Sequence, residues 1–291
     1  MKVCLACGQR FEADNWNCSS CNQSPVLQDG HPVFAPELIY GDGSDVEYDY
    51  AYLFEVESKN FWFRARNRLL LWALEHYFPG GNNFLEVGCG TGFVLSGIRQ
   101  TFPELILSAS DVLVKGLAYA NQRLPSVSFS QMDARNIPFE AEFDIIGAFD
   151  VLEHIEEDTL TLSQLFQATR PGGGIILTVP QHPFLWSYLD DFSYHKRRYI
   201  RSELVAKVEQ AGFEILRATS FVFLLLPLLY ISRLMQRQPI NNHDVGSELR
   251  LNPLLNVSLE KILDLERILI KLGLSFPVGG SLLVIAKRPE K

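Results

Sequence analysis

The 291-residue chain lacks a hydrophobic run long enough to span a bilayer. Its most apolar stretch, Phe221 to Ile231, falls well short of the roughly 20 residues a membrane helix requires, so no transmembrane segment is expected. It also lacks the basic-then-apolar opening that export machinery reads. Met1-Lys2-Val3-Cys4 leads straight into cysteines and polar residues, which points to a cytosolic, reducing setting. Positive charge is in deficit: 26 Lys and Arg against 34 Asp and Glu leave a net charge of −8, so the surface should repel polyanions and nucleic acid is a disfavoured partner. Cysteine is almost absent after position 21, where only Cys89 remains, and no internal repeat or low-complexity tract interrupts the chain. What is present is an ordinary globular balance, 47% hydrophobic and 21% charged, which excludes disorder and leaves room for one large domain with a small appendage or two modest domains.

The four early cysteines fall as Cys4-x-x-Cys7 and Cys18-x-x-Cys21, two pairs on tight turns with Gly8 freeing the backbone after the first. Paired thiolates at this spacing suit one tetrahedral zinc ion, and a segment this short has almost no core without it. Disulfides would need an oxidising compartment, and a redox pair would need a surrounding βαβ unit. With all four positions taken by sulfur, the metal is expected to be structural. Residues 1–22 resemble a zinc ribbon, with Cys4, Cys7, Cys18 and Cys21 as its ligands. The following 23–54, rich in Pro, Gly and acids, with Asp42, Asp45, Glu47 and Asp49 interleaved with Tyr48, Tyr50 and Tyr52, reads as a linker or lid, a solvated connection being the favoured form.

From Glu55 to Phe78 apolar residues recur at helical intervals until Pro79-Gly80-Gly81. Strands are then expected near 83–87, 105–110, 127–130, 143–149 and 173–179, separated and followed by helices near 92–102, 113–123, 157–169 and 201–211; this alternation means βαβ units on a parallel sheet. Two further strands near 213–220 and 281–287 flank a helical insertion of about 221–279 and are expected to complete the sheet edge.

The first strand runs into Glu86-Val-Gly88-Cys89-Gly90-Thr91-Gly92, where glycines let a ligand approach the backbone and a helix start offers unpaired N–H groups to an anionic group. The even glycine spacing differs from a dinucleotide fingerprint and demotes nicotinamide binding. Asp111 ends the next strand, where a carboxylate can accept hydrogen bonds from two ribose hydroxyls, and Gln131-Met132-Asp133-Ala134 after the third suits the edge and face of a purine.

Together these residues resemble the class I S-adenosylmethionine-dependent methyltransferases over roughly 55–291. The resemblance implies an α/β, Rossmann-like, mostly parallel seven-stranded sheet of order 3-2-1-4-5-7-6. It also implies a cofactor site made of Glu86, Gly88, Cys89, Gly90, Thr91, Gly92, Asp111, Val112, Asp133, Ala134, Asp150, Val151 and Arg66, the last on a helix Phe61-Trp62-Phe63-Arg64-Ala65-Arg66 that covers it. Methyl transfer from a sulfonium asks chiefly for alignment, and an oxygen acceptor adds the need for a base, most often histidine. His195 ranks first, ahead of His154 and His182, all expected at the carboxyl edge of the sheet. The segment His195-Lys-Arg197-Arg198-Tyr199 is similar to one in bacterial members acting on small molecules, quinones or lipid-linked glycans. In quinone O-methyltransferases two acids and a histidine hold magnesium, and Asp150, Glu153 and His154 match those positions, although helix capping and a buried histidine explain them more plainly.

In the insertion, Phe221–Ile231 reads as a helix apolar on every side, to be covered by the domain itself, by a second copy in a homodimer, or by a membrane or lipid surface meeting 221–237; the first two are favoured. A second helix near 253–272 should bury Leu255, Leu259, Ile262, Leu265 and Leu269 and turn Glu260, Lys261, Asp264 and Arg267 to water. The function expected is methyl transfer to a small-molecule or lipid-linked acceptor, with ribosomal RNA methylation or a catalytically silent cofactor-binding module as the alternatives.

Overall fold

The computed structural model describes residues 1–39, 49–235 and 251–290. Strands β1 (Lys2–Val3) and β2 (Arg10–Phe11) form a small antiparallel ribbon, and β3 (Val26–Gln28) and β4 (His31–Val33) a hairpin. After α1 (Tyr50–Val56) and α2 (Phe61–Tyr77) come β5 (Asn83–Val87), α3 (Phe93–Thr101), β6 (Ile106–Asp111), α4 (Val114–Arg123), β7 (Ser128–Gln131) and β8 (Phe143–Phe149). The chain continues through α5 (Asp158–Ala168), β9 (Thr169–Pro180), the short α6 (Tyr188–Phe192), α7 (Arg201–Gln210), β10 (Glu214–Phe221), α8 (Leu226–Met235), α9 (Pro253–Lys271) and β11 (Ser281–Lys287).

The main sheet has nine strands in the order β10-β11-β9-β8-β5-β6-β7-β4-β3. Its seven strands from β5 onward follow the expected 3-2-1-4-5-7-6 order. β11 enters antiparallel between β9 and β10, and the β5 to β9 strands are parallel. Central strands are buried on both faces, which is why they read as apolar runs rather than alternating ones. Leu85, Val87, Ile146, Leu177 and Val284 pack with α5 and α7, while Phe84, Ile145, Ile176 and Leu283 pack with α2, α3 and α4.

Part of the expected linker does more than connect. Asp29-Gly30 turns with both φ angles positive (52° and 84°), the geometry of a two-residue hairpin loop, and β4 then lies parallel to β7 with Val33 opposite Gln131. The sheet therefore has two more strands than expected, and its β7 edge is covered. The Asp-Gly dipeptide between Val26-Leu27 and Val33-Phe34 carries that signal. Gln131, fully buried, accepts from the Ala35 N–H (2.9 Å) and donates to the Ala35 (2.7 Å) and Val112 (3.1 Å) carbonyls. Replacing it with alanine leaves those groups unpaired in the interior, so Gln131→Ala is expected to lower unfolding free energy by about 2–4 kcal/mol, read by denaturant titration. Asp42, Asp45, Glu47 and Tyr48 lie outside the described residues, whereas Asp49 caps α1 through the Tyr52 N–H (2.9 Å).

The insertion departs from expectation in register. Phe221 ends β10 and α8 begins only at Leu226, because Val222, with φ at 63°, breaks the extended chain and drops with Leu225 into the core. Leu228, Tyr230, Ile231 and Leu234 are exposed, so α8 is covered on one side only. On α9 the buried line is Leu259, Leu263, Glu266 and Ile270, and Leu255 and Leu265 face outward. Glu260 and Asp264, expected in water, instead meet Arg64 and Arg68 of α2, and Glu266 accepts the Leu224 N–H (2.9 Å). Among the described residues no helix is long and apolar enough to cross a membrane. The end of the expected membrane-facing stretch 221–237, residues 236 and 237, lies outside the described residues.

Candidate active site at the carboxyl edge of the sheet

β5 delivers Glu86 and then a loop in which Gly88, Gly90 and Gly92 all take left-handed φ angles (73°, 51° and 73°). A side chain at Gly88 would place its Cβ 2.4 Å from Val151 Cγ2, so this glycine lets the loops after β5 and β8 close against each other. At Gly90 the same Cβ would meet nothing within 4 Å. The loop thus borders open space where a ligand can lie on its backbone. Gly88 and Cys89 N–H groups bond the Ser110 carbonyl (2.8 and 2.9 Å), and Cys89 is buried as the small side chain the turn accommodates.

Asp111, buried at the end of β6, accepts the Gly90 N–H on Oδ2 (2.8 Å) and the Leu113 N–H on Oδ1 (2.9 Å). Burial pushes its carboxyl above the usual range, and those N–H groups pull against the shift. Each oxygen keeps a further lone pair for a hydroxyl donor. Glu86 is buried with Oε2 unpartnered among the described residues, and burial pushes it well upward. Thr91 donates to Glu57 (2.5 Å), which Arg123 also meets (3.0 Å), tying the end of α1 to the glycine loop. Val112 and Ala134 line the neighbouring turns, and Asp133 is held by Arg135 through its side chain and backbone N–H.

After β8, Asp150 sits at a left-handed φ of 58° and pairs with Arg66, while Thr178 donates to its Oδ1 (3.3 Å). Arg66 in turn lies over the Trp62 ring at 4.4 Å. Of the three positions that resemble a magnesium set, Asp150 is thus engaged by Arg66. Glu153, His154 and His195 come together instead, with donor atoms all within 4.8 Å of one another. Glu153 is fully buried and neither carboxylate oxygen has a hydrogen-bond partner among the described residues; burial, then the charge of Asp150, pushes it well above the ordinary carboxylate range. Burial, then the charge of His195, holds His154 down at about 3, so its imidazole is neutral. The two rings meet edge to face with centroids 4.8 Å apart.

His182 is not brought to this pair. It takes a left-handed φ of 63°, stacks on Phe184 and lines a groove of about 540 Å³ with Gln181, Arg201, Ser202 and Glu209. Arg197 and Arg198 both meet carboxylates, Asp158 (2.9 Å) and Asp190 (2.7 Å) respectively, and Tyr199 donates to Asp158 (2.7 Å). Asp190 carries no signal in the sequence, since an aspartate five residues before a histidine has no distinguishing pattern.

The cysteines converge separately. Cys4 and Cys21 Sγ atoms are 3.6 Å apart and Cys7 and Cys18 3.7 Å apart, close to the roughly 3.8 Å edge of a tetrahedron with Zn–S bonds of about 2.3 Å. The Gly8 N–H returns to the Cys4 carbonyl (2.8 Å) and the Asn22 N–H to Cys18 (2.9 Å), with Gly8 and Asn22 both left-handed, so the two turns repeat one geometry. The donors fit zinc. The ribbon is docked on the sheet domain: the Val3 N–H bonds the Pro138 carbonyl (2.9 Å), and Trp16 packs against Phe34 and Phe139.

A parallel sheet whose first strand turns through left-handed glycines into a helix, with a buried carboxylate closing the second strand and β11 antiparallel between β9 and β10, is the architecture expected of the class I S-adenosylmethionine-dependent methyltransferases. The chain belongs to this group: residues 25–218 match the family model described as a methyltransferase domain. A probable S-adenosylmethionine-dependent methyltransferase of Mycolicibacterium smegmatis is 29% identical over 165 residues, 55% of this chain and 62% of that protein. The chain thus spans less than two thirds of that relative's length. A ubiquinone biosynthesis O-methyltransferase of Azoarcus sp. is 23% identical over 171 residues, covering 52% of this chain and 72% of that one. Among solved structures, phosphoethanolamine N-methyltransferase 2 of Haemonchus contortus in complex with S-adenosyl-L-methionine shares the fold, with a TM-score of 0.56 at 19% identity over 88% of this chain and 59% of that one.

Proposed function

We propose that the chain transfers the methyl group of S-adenosylmethionine to a hydroxyl of a small-molecule or lipid-linked acceptor in the cytoplasm, with Asp111 on the ribose, Asp133 and Ala134 at the adenine, Arg66 and Asp150 closing the pocket, and His195 as base. The zinc ribbon is structural. The observation that carries the base assignment is that His195 packs edge to face on His154, in the loop that leaves β8 directly after Asp150 and Val151. The acceptor oxygen attacks the methyl carbon as the carbon–sulfur bond breaks; the hydroxyl proton passes to the imidazole, and S-adenosylhomocysteine departs neutral. Alignment supplies most of the acceleration, and the base removes a proton that would otherwise leave an oxonium product.

One observation favours a second reading. Glu153, whose two carboxylate oxygens have no hydrogen-bond partner among the described residues, brings one oxygen within 4.8 Å of one nitrogen each of His154 and His195, a donor set that would hold a divalent cation beside the acceptor. Two imidazoles and one carboxylate suit a transition metal better than magnesium, which takes oxygen ligands.

Methyl-labelled cofactor incubated with purified protein and cell extract tests both. Label is expected in small molecules or lipids. Label confined to RNA or protein, or none at all, overturns the proposed acceptor class. Transfer is expected to persist in EDTA at unchanged ribbon zinc content; a loss of tenfold or more that Mn²⁺ restores would select the cation reading.

A further inference from the structure

We propose that Asp190 is a positioning residue that fixes the tautomer of His195, presenting an unprotonated Nε2 to the acceptor hydroxyl; the inference rests on His195 being the base. Asp190 lies on α6, with its side chain 1% exposed. Its Oδ1 meets His195 Nδ1 at 2.8 Å, and its backbone carbonyl accepts the His195 N–H at 2.9 Å, so ring and main chain are held by the same residue.

The carboxylate is itself immobilised. Arg198 reaches it as a fork, Nε to Oδ1 at 2.7 Å and Nη2 to Oδ2 at 3.0 Å, and the Ser187 N–H reaches Oδ2 at 2.9 Å. Arg198 is anchored in turn on the Gln181 carbonyl (3.3 Å). Facing a guanidinium on both oxygens and a backbone N–H on one, the carboxylate is held as the anion. An ionised carboxylate only accepts hydrogen bonds, so the shared proton sits on His195 Nδ1 and the lone pair on Nε2. The Lys196 N–H bonds the Glu153 carbonyl at 2.7 Å, and this ties the presenting segment to the β8 loop.

A structural ion pair between Asp190 and Arg198 would hold the fold without regard to the histidine proton. The geometry asks more, because the imidazolium formed when Nε2 takes the acceptor proton is stabilised by the buried anion on its far side. Asparagine keeps the shape of Asp190, yet its amide can donate to Nδ1 and stabilise the opposite tautomer.

The experiment has two arms. In the first, long-range ¹H–¹⁵N correlation of the wild-type protein, with His195 assigned through His195→Gln, is expected to show protonated Nδ1 and bare Nε2; protonation on Nε2 in the neutral ring overturns the proposal. This arm stands even where a variant fails to fold. In the second, label transfer from methyl-labelled cofactor to the small-molecule and lipid fractions of a cell extract is expected to fall about 10³–10⁴-fold in Asp190→Asn, as when a histidine base is held in the wrong tautomer, with cofactor affinity by calorimetry unchanged. Asp190→Glu should regain at least tenfold, and Asp190→Asn with His195→Gln should be no slower than His195→Gln alone. Loss in His195→Gln with wild-type rates in Asp190→Asn overturns the role of Asp190 and keeps the base. Wild-type rates in His195→Gln overturn the base assignment and the proposal with it.

Discussion

Asp111→Ala is expected to weaken S-adenosylmethionine binding by about 10²–10⁴-fold. A hydrogen bond to a charged acceptor contributes about 1.5–3 kcal/mol, and in the proposed site two ribose hydroxyls meet this carboxylate, so about 3–6 kcal/mol of binding is at stake. A second consequence adds to the first. The Gly90 and Leu113 N–H groups that Asp111 now holds lose their acceptor, and the glycine loop loses the anchor between β5 and β6 that keeps its backbone toward the ligand. Asp111→Asn retains one oxygen and the volume of the side chain and should fall between the two. Titration calorimetry reads the effect directly, with thermal melting to show that the variants remain folded. A dissociation constant within fivefold of wild type in Asp111→Ala would remove this carboxylate from the ribose site.

Cys18→Ser should release the ribbon altogether. The segment's own core is Cys4, Phe11 and Cys18 with Trp16 and Cys21 beside them, far too little to fold a piece of this size without a metal. Apparent zinc affinities in small zinc-bound peptides correspond to about 10–16 kcal/mol, so losing one thiolate removes the dominant stabilising term of this segment. Wild-type protein is expected to carry one zinc per chain by elemental analysis, and the variant less than a fifth of that. Hydrogen exchange should rise to near-unfolded rates at Val3, Cys4 and Cys18, whose N–H groups are bonded to Pro138, Gln9 and Gln23, while β5 and β8 stay protected. The melting temperature should fall as well, because Trp16 then leaves Phe34 and Phe139 exposed beside the sheet edge. Metal-free wild-type protein with those amides still protected would show that zinc is not what holds the ribbon.

Elements whose physics is local are legible in the order of residues alone. The boundaries of β5, β8 and β11 fall where the apolar runs place them, since a strand buried on both faces has no polar interruptions to blur its ends. The glycines of the loop are informative for the same reason: their positive φ angles are a backbone demand that few other residues meet. The β3–β4 hairpin is hard to read because its strands are only three residues each and it joins the sheet through β4 alone, whose partner β7 lies about 100 residues away in the chain. On α9 the difference is one of register. Glu266 is buried among leucines because it accepts the N–H of Leu224, and no helical periodicity anticipates an acid on the apolar face.

Residue types at short, fixed spacings were enough for the class of fold, the strand order implied by the resemblance, the cysteine cluster and the glycine loop with its following carboxylate. Which ionisable groups meet was settled by the packing of distant segments. Asp150 turns to Arg66, His195 joins Glu153 and His154, His182 goes to a different groove, and Asp190 stands behind His195. Pairings among buried charges are set by how segments as much as 84 residues apart in the chain pack over the sheet edge, and the cost of leaving such groups unpaired is a property of that packed interior alone.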